Sequence, residues 1–233
     1  MKKFTTALFL FICMCFTGQL FAQDYSAWVK KDGSTEHVLL LTPGYFTYTV
    51  FDKDNKKFIS SWGGTYIVSG NTSASTIKFN TVDQSKVGKT ETNTFSSDNN
   101  ELTVNFNGND ITFTNLDGGN EVLAGAWRIS ARDNNGSMQV IEDGPRKTIK
   151  ILSGTRFQWI AMNTSTGEFF GTGGGTYILK DGKYTETIEF FSRDSSKVGM
   201  NLTFDAKVDG TKWEHSGQSS KGDKIKEEWS RFE

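Results

Sequence analysis

Apolar and polar residues alternate along most of the chain in short runs, a pattern typical of strands that bury one face. In the run TIKFN, Ile77 and Phe79 share one face while Lys78 lies on the other, and HVLLL places Val38 and Leu40 together. The run YTETIEFF, residues 184–191, has the same rhythm. No long segment repeats apolar residues at helical spacing. The pattern therefore predicts an all-β protein built from many short strands.

The turns between these runs indicate how the strands are arranged. The chain has 24 Gly and only 2 Pro, and turn signals such as Lys180-Asp181-Gly182 and Val208-Asp209-Gly210 separate the apolar runs. This spacing gives about eight strands in each hundred residues, which favours small antiparallel barrels. Closing a sheet into a barrel also removes the unpaired strand edges through which β-rich proteins aggregate.

The second half of the chain repeats the first at a constant offset of 111 residues. Matching segments are 174–178 with 63–67, Phe157 with Phe46, Ile188 with Ile77, and 196–199 with 85–88. One offset that holds in several segments in order predicts an internal duplication. We place copy one at residues 24–117 and copy two at residues 124–233, with 12 extra residues near the start of copy two. A single large barrel fused from two half-barrels is the alternative.

The amino terminus has the features of a secretory signal peptide. Lys2 and Lys3 precede an apolar run over residues 5–20, and the small residue Ala22 marks the cleavage site. This run is short for a membrane span. We therefore expect residues 1–22 to be removed and the mature protein to be exported, to the periplasm or beyond, without a membrane span.

Composition limits the partners of the mature chain. Both cysteines, Cys13 and Cys15, lie in the predicted signal peptide, so no disulfide is expected. Without Lys2 and Lys3 the basic residues fall from 26 to 24, against 27 acidic residues, which argues against nucleic acid as a partner. The sequence shows no phosphate-binding loop, dinucleotide fingerprint or nucleophile motif, and we expect no cofactor. It does not indicate an oligomeric state.

Copy two resembles a known kind of domain. The string GTRFQW, followed by TGEF and GGGTYILKDGKYTETIEFF, resembles the small lipocalin-like (calycin) domains of secreted Bacteroidetes-type proteins, and copy one matches more faintly. The resemblance implies two tandem lipocalin-like antiparallel β-barrels, each of eight strands with a cavity. It also implies a setting among polysaccharide-degradation genes, where sugar-eliminating dehydratases occur.

The two copies differ at positions that should face the barrel interior. If Ile188 faces inward, strand alternation carries Glu186 and Tyr184 to the same face. The matching residues in copy one are Ser75 and Ser73. Copy two therefore has a carboxylate where copy one has a small hydroxyl.

The same reasoning applies to the last two strands. Trp213 and His215 share a face and match Leu102 and Val104, so His215 should point inward. Glu227 alternates with exposed lysine and glutamate and should also point inward. With Ile225 aligned on Ile111, at a local offset of 114, Glu227 matches Phe113.

These differences predict a filled, structural barrel one and a polar pocket in barrel two. All arginines lie in copy two, where Arg193 replaces Val82, and its aromatic residues are larger, with Trp159 for Tyr48 and Trp229 for Asn115. The candidate catalytic residues are Glu186, His215, Glu227 and Tyr184, and the candidate substrate-binding residues are Trp159, Tyr177, Arg193, Trp213 and Trp229. The alternatives are a self-satisfied buried network and an open, solvated barrel mouth.

Glutamates beside a histidine in a partly dry pocket can perform general acid–base chemistry. Together with the resemblance, they lead us to predict a dehydratase or lyase acting on acidic, uronate-containing oligosaccharides. Hydrolysis of glycosides by Glu186 and Glu227 is a second possibility, and metal binding by these glutamates and His215 is a third, although the spacing matches no standard metal motif. The rivals from other classes are a non-catalytic barrel that binds a lipid or glycan and a structural accessory protein.

Overall fold

The computed structural model describes residues 25–119 and 121–232, and these residues form strands, turns and two single 3₁₀ turns. The strands of the first half are β1 (Ser26–Asp32), β2 (Thr35–Thr42), β3 (Tyr45–Asp52), β4 (Lys57–Ser69), β5 (Thr72–Asn80), β6 (Thr90–Asp98), β7 (Glu101–Phe106) and β8 (Asn109–Asp117). Those of the second half are β9 (Gly125–Asn134), β10 (Ser137–Val140), β11 (Arg146–Leu152), β12 (Arg156–Asn163), β13 (Glu168–Lys180), β14 (Lys183–Phe191), β15 (Asn201–Asp209), β16 (Lys212–Gln218) and β17 (Lys224–Arg231).

Each half closes into an antiparallel barrel of eight strands. In barrel 1, successive strands pair as neighbours and β1 also pairs with β8. In barrel 2, β9 pairs with both β11 and β17, which closes the ring. The extra residues of copy two contain β10, which forms a hairpin with β9 outside the ring. The all-β prediction with two tandem up-and-down barrels, the lipocalin-like architecture, is confirmed.

A β-bulge changes which side chains enter each barrel. Gly63 pairs with Phe79 and Gly64 with Ile77, so Lys78 has no partner residue on β4. A bulge of this kind reverses the alternation beyond it. Ile77 therefore packs inside barrel 1, whereas Phe79 packs in a core between the two barrels. The prediction that Ile77 and Phe79 share one face is wrong for this reason, and the same bulge in β14 moves Phe190 to the inter-barrel core.

The inter-barrel core joins equivalent faces of the two copies. It contains Val38 and Leu40 of β2 and their counterparts Ile149 and Ile151 of β11, together with Phe51. One face of each of these strands packs inside its own barrel, and the other packs against the second barrel. Because the core consists of buried apolar side chains from both copies, we expect the barrels to form one rigid unit.

A small polar network lies within this interface. Gln158 of barrel 2 donates to Ser61 Oγ at 2.9 Å and to Thr172 Oγ1 at 3.0 Å, and its Oε1 accepts from Thr49 at 2.9 Å. All four side chains are buried. Because buried polar groups are costly unless paired, these mutual bonds fix how the barrels are docked.

The predicted signal peptide, residues 1–22, lies outside the described residues. Within the part of the chain that the structure describes, no helix is long and apolar enough to cross a membrane.

Candidate functional site

The interior of barrel 2 contains a buried ion pair that involves Glu186. This side chain is only 4% exposed, and Lys150 Nζ of β11 donates to its Oε1 at 2.7 Å. Lys150 is equally inaccessible. Two charges removed from water are tolerated only when they are closely paired, and Lys150 supplies the partner of Glu186. Strand alternation alone does not predict that Lys150 is an interior residue.

Aromatic rings surround the ammonium group of Lys150. Its Nζ lies 4.9 Å from the ring centroid of Trp213, 5.1 Å from those of Tyr184 and Trp229, and 5.9 Å from that of Phe157. These distances are within the range of cation–π attraction. Lys150 therefore occupies, within the protein, the position that a cationic ligand would take in an aromatic cage.

His215 lies inside barrel 2, as predicted, next to this cluster. It is 3% exposed, its ring is parallel to that of Trp229 at 6.2 Å, and neither ring nitrogen has a hydrogen-bond partner among the described residues. Its Nε2 is 3.5 Å from Glu227 Oε2. Burial, and next the charge of Lys150, hold the pKa of His215 well below its ordinary value, so His215 is neutral near neutral pH.

Glu227 also points inward, but it is already engaged. Arg132 of β9 donates to Glu227 Oε1 from Nε at 3.1 Å and from Nη2 at 2.7 Å, and Trp229 Nε1 donates to Oε2 at 3.2 Å. His215 pairs across strands with Glu227. This forked ion pair is sufficient to explain why a carboxylate is stable there.

The strand register corrects the alignment of the last strand. In barrel 1, Val104 pairs with Ile111 and Leu102 with Phe113. The counterpart of Glu227 is therefore Ile111, not Phe113. Trp213 pairs with Trp229, so Trp229 corresponds to Phe113, not to Asn115. The offset on this strand is therefore 227 − 111 = 116 rather than 114, because the connection between β16 and β17 is longer than that between β7 and β8.

Two other predicted residues, Tyr184 and Tyr177, also lie inside barrel 2. Tyr184 is fully buried, and burial followed by the charge of Glu186 raises its pKa well above its ordinary value. The Tyr177 hydroxyl donates to the carbonyl of Ser153 at 2.7 Å, and burial raises its pKa. Both hydroxyls are therefore protonated in the folded protein.

Trp159 and Arg193 lie at the margin of this interior, where Trp159 is partly buried against the core cluster. Trp159 packs edge to face on Phe191 with ring centroids 5.4 Å apart, and Arg193 lies beside it, since both side chains border Gly171. The structure thus brings seven of the nine predicted site residues into one interior and places Trp159 and Arg193 at its margin.

The carboxylates inside barrel 2 are each engaged by a basic side chain. Over residues 25–119 and 121–232, no three His, Cys, Asp or Glu side chains are grouped to hold a metal ion. Glu186 is held by Lys150 and Glu227 by Arg132, which keeps the predicted Glu186–His215–Glu227 ligand set from forming. The catalytic roles of these residues stay predictions.

Barrel 1 contains a partly open apolar cavity of about 60 Å³. Its lining is apolar apart from a polar patch on β5 and β6, and it consists of Leu39, Leu41, Phe46, Tyr66, Val68, Ser73, Ser75, Asn93, Phe95, Leu102, Val104 and Phe106. Asn93 is 3% exposed; its Nδ2 donates to Ser75 Oγ at 3.5 Å, and its Oδ1 has no hydrogen-bond partner. The cavity lies in the copy that the sequence predicts to be filled.

The cavity and the Lys150 cluster occupy equivalent space in the two barrels. Leu39 of barrel 1 is the counterpart of Lys150 of barrel 2. The strand registers show this, because Leu39 lies opposite Tyr48 and Lys150 lies opposite Trp159, the counterpart of Tyr48. In the same way, the cavity-lining residues Ser73, Ser75, Asn93, Leu102 and Val104 correspond to Tyr184, Glu186, Phe204, Trp213 and His215. Smaller side chains leave the space open in barrel 1, and larger ones fill it in barrel 2.

Comparisons with known proteins assign no activity to the chain. A family described as a domain of unknown function (DUF4488) matches residues 122–233, which contain all of barrel 2. No curated protein matches the chain. A lipocalin-like protein from Bacteroides uniformis is similar in structure, with 16% sequence identity and a TM-score of 0.35, over 48% of this chain and 100% of that one.

Proposed function

We propose that this protein binds a small, neutral, amphipathic molecule in the cavity of barrel 1. The observation that carries the proposal is an apolar cavity with one buried, unpaired acceptor, Asn93 Oδ1, in its wall. Binding sites are typically apolar with a few polar groups that fix orientation. An unmet acceptor in such a wall costs free energy that a ligand donor would recover.

The lack of charged side chains in the cavity lining favours an uncharged ligand. Barrel 2 has Lys150 and Glu186 at the positions of Leu39 and Ser75. The cavity lining contains no charged side chain. A carboxylate or ammonium group bound there would be desolvated without a partner, which is strongly unfavourable. A hydroxyl or amide could instead donate to Asn93 Oδ1.

The volume of the cavity limits how much of the ligand can be buried inside barrel 1. Engineered apolar cavities of about 150 Å³ hold benzene, so a cavity of about 60 Å³ accommodates a short alkyl segment. A longer ligand would extend past Leu41, Val68 and Phe95, the lining residues that remain partly exposed.

The test uses n-butanol, with sodium butyrate as the charged analogue of matched length. We expect n-butanol to shift the methyl NMR signals of Leu39 and Leu102, and butyrate to leave them unchanged. Asn93→Leu fills the cavity and removes the unpaired acceptor, so it should abolish the shifts and raise the free energy of unfolding by about 1–2 kcal/mol.

The matched control is Phe204→Leu, the counterpart position in barrel 2. It should destabilise the protein and leave the n-butanol shifts intact. Shifts that persist in Asn93→Leu, or that are as large with butyrate, would contradict the proposal.

A dehydratase or lyase acting on uronate-containing oligosaccharides is the second candidate, and the convergence of Glu186, Tyr184 and His215 in barrel 2 favours it. Their burial opposes it, because an oligosaccharide could reach them only if the barrel opened. A product lighter by one water, formed by the wild type and not by Glu186→Gln, would establish this activity.

In either case we propose that the protein acts after export, as the basic and apolar start of the chain indicates.

A further inference from the structure

We propose a second binding site, for a neutral saccharide ring, at the mouth of barrel 1. The mouth holds a pocket of about 240 Å³ lined by Tyr48, Trp62, Asn80, Lys86, Glu91, Phe106, Asn107, Asn109 and Ile111. This site is independent of the proposed cavity ligand, although Phe106 borders both spaces.

Three aromatic side chains form the apolar part of the pocket. Trp62 lies 5.1 Å from Phe106 and 5.5 Å from Tyr48 between ring centroids, and Tyr48 lies 5.6 Å from Phe106. Mutual packing of this kind limits the rotamers of the rings before any ligand binds. Trp62 remains partly exposed, which leaves part of its surface for a ligand.

A hydrogen bond further fixes the floor of the pocket. The Tyr48 hydroxyl is 2.6 Å from Nδ1 of His37 on the neighbouring strand. Burial, followed by the charge of Lys30, lowers the pKa of His37, so the ring is neutral near neutral pH. The floor is therefore a fixed and uncharged surface.

The rim supplies polar groups that are balanced in charge. Lys86 Nζ and Glu91 Oε1 form an ion pair at 2.9 Å, which leaves no net charge in the pocket. Asn80 Oδ1 accepts from the backbone N–H groups of Val82 and Asp83, so its Nδ2 is the end left for a ligand. The amides of Asn107 and Asn109 add both donors and acceptors.

This combination matches the chemistry of a sugar. A pyranose ring presents an apolar C–H face, which packs on aromatic rings, and a belt of hydroxyls, each of which donates and accepts hydrogen bonds. A charged ligand would have to compete with the Lys86–Glu91 pair. A planar heteroaromatic would use the rings but leave most of the rim without a partner.

Barrel 2 lacks the same arrangement. The counterpart of Trp62 is Gly173 and that of Asn80 is Phe191, since Gly173 pairs with Phe191 and Trp62 with Asn80. Lys86 and Glu91 correspond to Lys197 and Leu202. Barrel 2 keeps two rings at this mouth, Trp159 and Phe191, but it lacks the counterpart of Trp62 and the ion pair of the rim, so we expect one saccharide site per chain.

The experiment titrates the whole mature chain with cellobiose, maltose and N,N′-diacetylchitobiose, followed by tryptophan fluorescence and calorimetry. We expect at least one of them to bind in the micromolar to millimolar range. Trp62→Ala should weaken that binding at least about tenfold, and Glu91→Gln, which leaves the aromatic floor intact, should weaken it by a smaller factor.

The control is Phe191→Ala, which removes a ring from the corresponding mouth of barrel 2 and should leave the affinity unchanged. Glu91→Gln keeps the test valid if Trp62→Ala does not fold, because Glu91 lies on the rim. Failure of all three sugars to bind, or binding that neither Trp62→Ala nor Glu91→Gln weakens, would overturn the proposal. Tighter binding of guanosine than of any sugar would do the same.

Discussion

Lys150→Met is expected to lower the free energy of unfolding by about 3–5 kcal/mol, the usual cost of breaking a buried ion pair by removing one partner. Lys150 Nζ and Glu186 Oε1 are 2.7 Å apart, and both side chains are inaccessible to water. Methionine is unbranched and close to lysine in volume but carries no charge, so Glu186 would remain buried without a cation. Urea denaturation followed by tryptophan fluorescence measures the loss.

The double variant Lys150→Met with Glu186→Leu separates the charge effect from packing. Replacement of a whole buried pair by apolar side chains of similar volume is often close to neutral. We therefore expect the double variant to recover most of the stability lost in Lys150→Met. Two results would contradict a stabilising role of the ion pair in barrel 2. One is a loss of less than about 1 kcal/mol in the free energy of unfolding of Lys150→Met. The other is a double variant whose loss of stability equals the sum of the losses in the two single variants.

Phe51→Ala is expected to cost about 3–5 kcal/mol and to weaken the coupling between the barrels. Phe51 is 0% exposed, lies in the inter-barrel core and contacts Phe190 at 5.0 Å between ring centroids. In the wild type we expect both barrels to unfold in one calorimetric transition. In Phe51→Ala we expect a broadened or double transition, since the shared core is weakened while each barrel interior is intact.

Phe113→Ala is the matched control. Phe113 is 1% exposed and lies inside barrel 1, away from the inter-barrel core. The same truncation there should cost a similar amount. It leaves the interface intact, so the transition should remain single. A split transition in Phe113→Ala, or a sharp single transition in Phe51→Ala, would show that the inter-barrel core does not couple the barrels.

Most of the fold could be predicted from the sequence. Strand alternation, glycine turns and a constant offset are local or repeated signals, and they were sufficient for two tandem barrels. The bulge at Lys78 could not be predicted, because it depends on how β4 and β5 pair. The inter-barrel core was also missed. Runs such as HVLLL, which are apolar on both faces, were its available signal.

The site was predicted only in part. Alternation correctly placed Glu186, His215 and Glu227 inside barrel 2. Lys150 was missed because it lies between Ile149 and Ile151, where alternation assigns the isoleucines to the core and the lysine to solvent. Its counterpart Leu39, within an apolar run, was the signal that could have revealed it.

The location of the cavity required the structure, because free volume depends on how side chains meet across a barrel. Leu102 and Val104 are apolar, and their sequence pattern predicts a filled barrel 1. They are, however, smaller than Trp213 and His215, and Asn93 is smaller than Phe204. Together, these differences in side-chain volume leave a cavity in barrel 1. A comparison of apolar and polar positions does not detect them.

The most direct test of the account is the structure of a crystal pressurised with xenon, a gas that occupies dry apolar cavities. We predict an anomalous peak between Leu39, Phe46 and Leu102 in barrel 1 and none around Lys150 and Trp213 in barrel 2. A xenon atom inside barrel 2, or none inside barrel 1, would contradict the assignment of barrel 1 as the binding barrel.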